Sequence, residues 1–261
     1  AGHPDIAKVS FTGSTNTGKA VLRSAADDMK RVTLELGGND PAIVLADANV
    51  EAAARGLAAT AFLNAGQVCA APKRLYVADQ IYDDFRERFV TATREIRMGA
   101  GDEDGVTLGP VQNRMQFDKV RGMIEEAAAS GTVLTGGHVA NRPGFFIEPT
   151  IIADLDDQAP LVTDEQFGPV VPLLRFTDEA DAIARANEGA FGLGASIWTR
   201  DIDRARQLAR GITAGSVWIN QHIAIHPDIP FGGVKQSGLG SEGGIEGVYE
   251  YTRLQVINAA G

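Results

Sequence analysis

The hydrophobic pattern of the chain alternates between two periods, one typical of strands and one typical of helices. Residues 41–46, PAIVLA, are continuously apolar, as expected of a strand buried on both faces. Ile81, Phe85 and Phe89 recur at the spacing of one helical turn within residues 79–97, which predicts an amphipathic helix. We predict further strands at residues 8–12, 31–36, 74–77, 132–136, 144–152, 170–176, 194–199 and 215–220, and further helices at residues 18–26, 50–63, 113–129, 178–187 and 201–210.

This alternation predicts an α/β architecture with a largely parallel sheet flanked by helices. After Pro230 the sequence becomes rich in glycine (PFGGVKQSGLGSEGGIEG), and we expect regular structure to return only near residues 248–258. The segment YTRLQVINA (Tyr251–Ala259) predicts an edge strand that is available to pair with another chain.

Composition, charge and cysteine count exclude several classes of protein function. The 261 residues are 44% hydrophobic and 22% charged, as in ordinary globular proteins, and no apolar run reaches the roughly 18 residues that a membrane helix needs. The net charge of −10 is spread along the chain, which argues against nucleic-acid binding. A single cysteine excludes an internal disulfide framework and predicts a reducing, cytoplasmic location. The opening AGHPDIAKVSFTGS has no Met and no signal-like stretch, so we expect the chain to begin inside a domain.

Three short motifs suggest ligands that their context does not support. GSTNTGKA (residues 13–20) is close to the P-loop pattern, but Ala20 occupies the position of the hydroxyl that would bind magnesium. GLGSEG (residues 238–243) fits a dinucleotide pattern but follows a glycine loop, not a strand. His222 and His226 have the spacing of a helical metal pair, but Pro227 argues against a helix, so we predict no metal site.

Three side chains are candidates for chemistry, each with a plain structural alternative. Glu35 lies in the strand-like VTLELGG, where a carboxylate is most often on the wet face of the strand. Cys69, in NAGQVCAAP, is either a nucleophile or a small buried hydrophobe. Glu165, in DEQFGPVV, lies in an acidic turn before an apolar strand. None of the three is decisive alone.

The order of the motifs is more specific than any one of them. FTGSTNTG, LELGG, NAGQVC, EQFGPVVPLL and PFGGVKQSGLG follow one another, Cys69 lies 34 residues after Glu35, and Glu165 lies 96 residues after Cys69. This arrangement resembles the NAD(P)-dependent aldehyde dehydrogenase superfamily over essentially the whole chain. The resemblance is to the C-terminal portion of that family.

The resemblance implies a role for each matching position. Cys69 would attack an aldehyde to form a thiohemiacetal and then a thioester, and Glu35 would act as the general base for hydrolysis. The Cys69 N–H would contribute to the oxyanion hole. The implied contacts to NAD or NADP are at Gly13, Ser14, Leu36, Gly37, Glu165 and Phe167. Asn39 stands where the family often has Lys, and we assign it no chemical role.

The resemblance also implies a division of the chain. Residues 1–37 would be the remnant of a truncated Rossmann-type NAD(P)-binding domain, residues 38–234 the catalytic domain, and residues 235–261 a glycine-rich return segment with the C-terminal oligomerisation strand. The implied partners are an aldehyde substrate and further copies of the chain. Three alternatives stay open beside aldehyde oxidation. They are a non-catalytic binding or assembly fragment, an acylating member of the family that passes the thioester to another acceptor, which an intact Glu35 disfavours, and, less favoured, a P-loop nucleotide-binding protein. We expect these 261 residues alone to form an oligomer or bind a partner, to bind the cofactor weakly and to turn over weakly.

Overall fold

The computed structural model describes residues 1–261, and its strands form two sheets and one short pairing. The strands are β1 (Lys8–Thr12), β2 (Arg31–Glu35), β3 (Asp40–Val44), β4 (Pro72–Ala78), β5 (Thr132–Thr135), β6 (Thr150–Ala153), β7 (Val170–Phe176), β8 (Phe191–Gly192), β9 (Gly194–Trp198), β10 (Ser216–Ile219), β11 (Val234–Lys235) and β12 (Gly238–Leu239). The helices are α1 (Thr15–Ala26), α2 (Val50–Ala61), α3 (Tyr82–Arg94), α4 (Arg114–Ser130), α5 (Pro160–Thr163), α6 (Glu179–Asn187), α7 (Ile202–Ala209) and α8 (Gly244–Tyr249).

The large sheet has seven strands in the order β10-β9-β3-β4-β7-β6-β5. All its pairings are parallel except that of β5 with β6, which is antiparallel. Along β3, Ala42 and Val44 pack into the core with α2 and α3, whereas Ile43 packs into the core with α6 and α7. The sheet is therefore covered on both faces, which explains the continuous apolar run and confirms the predicted α/β class.

The small sheet has three strands, with β2 between the parallel β1 and the antiparallel β12. The chain leaves this sheet at Glu35 and enters the large sheet at Asp40, so residues 36–39 connect the two sheets. The return of β12 to β2 places the glycine-rich segment after Pro230 beside the end of β2. This crossing point is where the candidate site lies.

The C-terminal segment is only partly as predicted. Regular structure resumes earlier than expected, as the helix α8, and residues 252–261 form neither helix nor strand within this chain, so the pairing of Tyr251–Ala259 with another chain stays a prediction. An extended segment becomes a strand only when a neighbour supplies ladder hydrogen bonds, and no strand pairs with this one. Leu254, Val256 and Ile257 are exposed instead.

Two smaller differences have local causes. The predicted strand at residues 144–152 is regular only from Thr150, because Pro149 cannot donate to a ladder and the residues before it make a single bridge at Ile147. The helix predicted from residue 79 starts with a short 3₁₀ turn before α3. No helix combines the length and the apolar character needed to cross a membrane.

Candidate active site

Glu35, the last residue of β2, is buried. Its side chain is only 3% exposed, so the wet-face alternative is wrong: Gly238 of β12 lies opposite it and the glycine-rich return segment covers it. Neither carboxyl oxygen has a hydrogen-bond partner within normal geometry. Burial raises the pKa of Glu35 to about 8, the charge of Glu242 adds to the rise, and the Gly233 backbone amide opposes it. A buried carboxyl without a partner is typical of a functional group rather than a structural one.

Cys69 follows an irregular turn at the end of α2. Asn64 and Ala65 have left-handed backbone angles, with φ of 51° and 56°, which end the helix and direct the chain into the loop. The Cys69 side chain is partly exposed at the margin of a small apolar cluster that includes Leu193 and Trp218. Burial raises the pKa of the thiol, Lys73 and the Ala70 backbone amide lower it, and Asp40 and Glu35 raise it.

Gly37 and Gly38 bring the three chemical motifs together. The Gly38 N–H donates to Glu165 Oε1 at 3.0 Å. A Cβ at Gly37 would lie 2.4 Å from Glu165 Oε2, and a Cβ at Gly38 would lie 2.5 Å from the Cys69 carbonyl oxygen. The connection between the two sheets therefore packs between the Glu165 carboxylate and the Cys69 loop, and at Gly38, where the close neighbour is a backbone oxygen, only glycine fits.

The turn that carries Glu165 and Phe167 is held from α4. Lys119 donates to the Glu165 carbonyl at 2.7 Å, and Gln116 donates to the Phe167 carbonyl at 2.9 Å. Phe167 has a φ of 49°, an uncommon angle for a bulky residue. Both side chains are partly exposed. The backbone of this turn is thus fixed by side chains of α4.

The predicted pyrophosphate turn is the most exposed part of the site. Gly13 and Ser14 are exposed, and the Gly13 N–H already donates to the Glu35 carbonyl at 3.0 Å. Ser14 is the N-cap of α1, and its Oγ accepts from the Thr17 N–H at 3.3 Å. The N–H groups of Thr15 and Asn16 have no partner in the chain, so they are the donors available to an anion.

The P-loop alternative does not survive in the structure. Gly18 and Lys19 lie inside α1, so residues 13–18 do not form the loop that this motif requires. Gly18 instead packs on Leu36, where a Cβ would lie 2.4 Å from the Leu36 Cδ2 atom. Leu36 is buried, and its N–H donates to the Ser237 carbonyl at 2.8 Å. The glycine therefore serves the contact between helix and sheet.

A polar cluster that the sequence did not reveal lies beneath Cys69. It consists of Asp40, Lys73 and His222, all buried. Burial raises the pKa of Asp40 to about 7 and lowers the pKa of His222 to about 3. Burial also lowers the pKa of Lys73, although the charges of Asp40, Glu165 and Cys69 oppose this. The only signal in the sequence was a lysine at the start of the apolar strand KRLYV.

Asn39, which the sequence singled out, has a structural role. Asn39 is buried, its Nδ2 donates to the Val162 carbonyl at 2.8 Å, and its own carbonyl accepts from Arg74 Nε at 2.9 Å. His222 and His226 lie in the loop after β10, not on a helix. No group of three His, Cys, Asp or Glu side chains is arranged to hold a metal ion.

The sequence and the fold of this chain both match those of known proteins. The sequence profile of the aldehyde dehydrogenase family matches residues 1–257. The aldehyde dehydrogenase LUC3 of Fusarium sp is 43% identical over 98% of this chain and 55% of its own length. The succinate-semialdehyde dehydrogenase [NADP(+)] GabD of Escherichia coli (strain K12) is 42% identical over 98% of this chain and 53% of its own length.

The fold of this chain is also similar to those of solved structures, over a similar share of each chain. A point mutant of betaine aldehyde dehydrogenase from Staphylococcus aureus, solved with NAD+ and a BME-modified cysteine, superposes with a TM-score of 0.91 at 36% identity. The match covers 96% of this chain and 52% of that one. The chain thus spans about half the length of the relatives it matches. On the profile match and these identities, the chain belongs to the aldehyde dehydrogenase family.

Proposed function

We propose that this chain carries the nucleophile, the general base and part of the cofactor site of an enzyme that oxidises an aldehyde to a carboxylic acid with NAD+ or NADP+. The observation that supports this most strongly is the packing of Gly37–Gly38 between Glu165 and the Cys69 loop. It holds the predicted nucleophile next to the predicted ribose ligand. The buried Glu35, which has no hydrogen-bond partner, lies two residues before Gly37 in the chain.

The residues present suit a dinucleotide. The free N–H groups at the start of α1 suit its pyrophosphate. Glu165 Oε1 accepts from the Gly38 N–H, and Oε2 stays available for ribose hydroxyls. When bound, the cofactor would accept the hydride from the aldehyde carbon. GabD is named for NADP(+), and the S. aureus structure contains NAD+, so both cofactors occur among relatives.

Cys69 would carry the covalent chemistry. As the thiolate it attacks the carbonyl carbon, and the thiohemiacetal formed becomes a thioester once hydride has left. The Cys69 N–H has no partner in the chain and would stabilise the oxyanion. The modified cysteine of the S. aureus relative is consistent with a reactive thiol at such a site.

Glu35 would then take a proton from the water that hydrolyses the thioester. A general base must be ionised to act, and a pKa of about 8 leaves Glu35 mostly protonated at neutral pH. Burial also raises the pKa of Cys69. Both groups must lose a proton, so turnover should rise with pH through about 8.

The test uses Cys69→Ala and Glu35→Gln in a protein that contains this chain and oxidises aldehydes. Cys69→Ala should abolish turnover. Glu35→Gln should retain a stoichiometric burst of NADH and lose about 10²–10⁴-fold in steady-state rate, the usual effect of removing a general base. Glu51→Gln, an exposed carboxylate far from the site, is the control. Normal turnover in Cys69→Ala would reject the proposed nucleophile, and an unchanged steady-state rate in Glu35→Gln would reject the base.

The division of the chain and its assembly are also proposals. The passage of residues 36–39 between the two sheets supports a boundary near residue 37 between a cofactor-binding part (1–37) and a catalytic part (38–234). The pairing of β12 (Gly238–Leu239) with β2 supports the return of residues 235–261 to the first part. We propose a homo-oligomer, which light scattering would test. A chain that binds NAD(P) but never alkylates or turns over would favour the non-catalytic alternative.

A further inference from the structure

The loop that carries Cys69 is held from beneath by donors that the proposed chemistry does not use. Lys73 Nζ donates to the Val68 and Cys69 carbonyls, both at 2.7 Å. His222 Nε2 lies 3.0 Å from the Ala70 carbonyl. Three successive carbonyl oxygens around the thiol therefore face buried side-chain donors. A fourth contact, from Lys73 to the Ala71 carbonyl, is longer at 3.4 Å.

The direction of these carbonyls fixes the direction of the N–H groups. In a trans peptide the C=O and the N–H point in opposite directions, and the chain has no cis peptide bond. Holding the Val68 carbonyl therefore orients the Cys69 N–H, and holding the Cys69 carbonyl orients the Ala70 N–H. The Cys69 N–H has no partner in the chain, and the Ala70 N–H faces the thiol, where it favours the ionised form.

His222 is held in one tautomer. Its Nε2 faces a carbonyl oxygen, which can only accept, so Nε2 must carry the proton. Its Nδ1 lies 2.8 Å from Ser196 Oγ, and that oxygen already accepts from the Trp198 indole N–H at 3.0 Å. The Ser196 hydroxyl is then free to donate to Nδ1. The Trp198 indole therefore donates to Ser196, the Ser196 hydroxyl donates to His222, and His222 donates to the Ala70 carbonyl. The imidazole is neutral in this arrangement.

We propose that Lys73 is a positioning residue for the nucleophile: its buried ammonium, with His222 beside it, directs the N–H groups of Cys69 and Ala70 toward the oxyanion and the thiolate. This inference rests on the proposed role of Cys69. Lys73 would touch neither the aldehyde nor the cofactor, and it would act only through the backbone of residues 68–70 and through its charge.

Several charged groups surround the pair. Cys69 faces Lys73, Asp40 and Glu35, and Lys73 faces Asp40 and Glu165 as well as the thiol. The Asp40 carboxylate lies 3.8 Å from His222 Nε2, and neither of its oxygens has a hydrogen-bond partner. The positive charge of Lys73 favours the thiolate and the negative charge of Asp40 disfavours it. The two side chains should therefore affect the thiol in opposite directions.

The test is the pH dependence of Cys69 alkylation by iodoacetamide, which requires no turnover. Because Cys69 is the only cysteine, the reaction reports one site. Lys73→Met should raise the apparent pKa of Cys69 by about one unit and slow alkylation at neutral pH about tenfold. Asp40→Asn should accelerate it. If Lys73 only filled space, its removal would loosen the loop and both variants would alkylate faster.

A second comparison keeps the test decisive if Lys73→Met fails to fold because it leaves Asp40 without a counter-charge. Asp40→Asn and the double variant Asp40→Asn/Lys73→Met differ only at Lys73, and the double variant should alkylate about tenfold more slowly. Lys235→Met is the matched control, because Lys235 also donates to two backbone carbonyls, those of Asn187 and Gly189, away from Cys69. Its alkylation profile should match that of the unmodified chain.

The outcomes separate this inference from the proposed function. A variant that lacks Lys73 is compared with the protein that differs from it only at Lys73. If the variant alkylates as fast or faster, the positioning role is overturned, even if Cys69 is the nucleophile. Turnover that survives Cys69→Ala would reject the proposed function, while the alkylation profile would still report whether Lys73 orients the loop.

Discussion

The loop of the proposed nucleophile Cys69 and the proposed cofactor turn at Gly13–Ser14 contact the two ends of the connection between the sheets, at Gly38 and Glu35, but they are built differently. The Cys69 loop is held by buried donors on successive carbonyls, whereas the Gly13–Ser14 turn is exposed and is held by one backbone bond to Glu35 and by its own N-cap. A group that must meet one carbon atom needs fixed geometry. A turn that binds and releases a phosphate can tolerate solvent and local movement.

The largest effect is expected from Gly38→Ala, because the added methyl group would overpack the site against the Cys69 loop. Its Cβ would lie 2.5 Å from the Cys69 carbonyl oxygen, a backbone atom that Lys73 already holds. We expect Gly38→Ala to lower the free energy of unfolding by about 1–3 kcal/mol, as overpacking does, and to change the alkylation rate of Cys69. Chemical denaturation and iodoacetamide labelling would measure both.

Gly122→Ala is the control for this variant. Gly122 lies inside α4, and a Cβ there meets nothing within 4 Å. We expect it to raise the free energy of unfolding by about 0.5–1 kcal/mol, because alanine is the better helix residue. Equal stability changes at the two positions would show that the contact with Cys69 is not close in solution.

A second prediction concerns the buried carboxyl group of Glu35. The folded pKa of Glu35 is about 8, above its ordinary 4.5, so the folded state holds a proton that the unfolded state has lost between these values. Stability should therefore fall as the pH rises through that window. Glu35→Gln removes the penalty and should stabilise the protein by about 1–3 kcal/mol at alkaline pH, with no gain near pH 4.

Denaturation at several pH values would measure this difference. Glu51→Gln is the matched control, because hydrogen bonds from Arg88 and Arg55 lower the pKa of Glu51 and its ionised form favours the folded state. That variant should gain no stability at alkaline pH. A Glu35→Gln variant with the same pH profile as the unmodified chain would mean that Glu35 is solvated.

The smallest effect on stability is expected from a change in the exposed Gly13–Ser14 turn. Ser14→Ala removes the side-chain acceptor for the Thr17 N–H and should lower the free energy of unfolding by about 1 kcal/mol, the usual value of an N-cap. The alkylation rate of Cys69 should not change. Ser24→Ala, at an exposed position of the same helix, should be neutral or slightly stabilising. An effect of Ser14→Ala on the thiol would show that the two regions are coupled.

The long elements could be predicted because their hydrophobic periods extend over many residues. β3, β7 and α4 lie close to the predicted ranges. The short strands β8, β11 and β12 could not be predicted, since two residues have no period and each exists only because a distant segment pairs with it. The C-terminal segment illustrates the converse: it has an extended pattern, but no strand of this chain pairs with it, so its predicted pairing with another chain stays a prediction.

The candidate site was predictable only in part. Order and spacing singled out Glu35, Cys69 and Glu165, and the structure places their segments around Gly37–Gly38. The burial of Glu35 was not visible, because alternation along β2 indicated one wet face and the covering return segment is about 200 residues away in the chain. Lys73, Asp40 and His222 come from three separate segments, so only the fold reveals that they meet.

The solitary thiol also determines how oxidation would affect the protein. A peroxide that reached the partly exposed Cys69 would convert it to a sulfenic acid, and a second thiol would normally trap that acid as a disulfide before further oxidation. The chain contains no other cysteine. Within this chain, therefore, no disulfide can trap the acid, and protection from the irreversible sulfinic and sulfonic acids would have to come from a thiol outside these 261 residues.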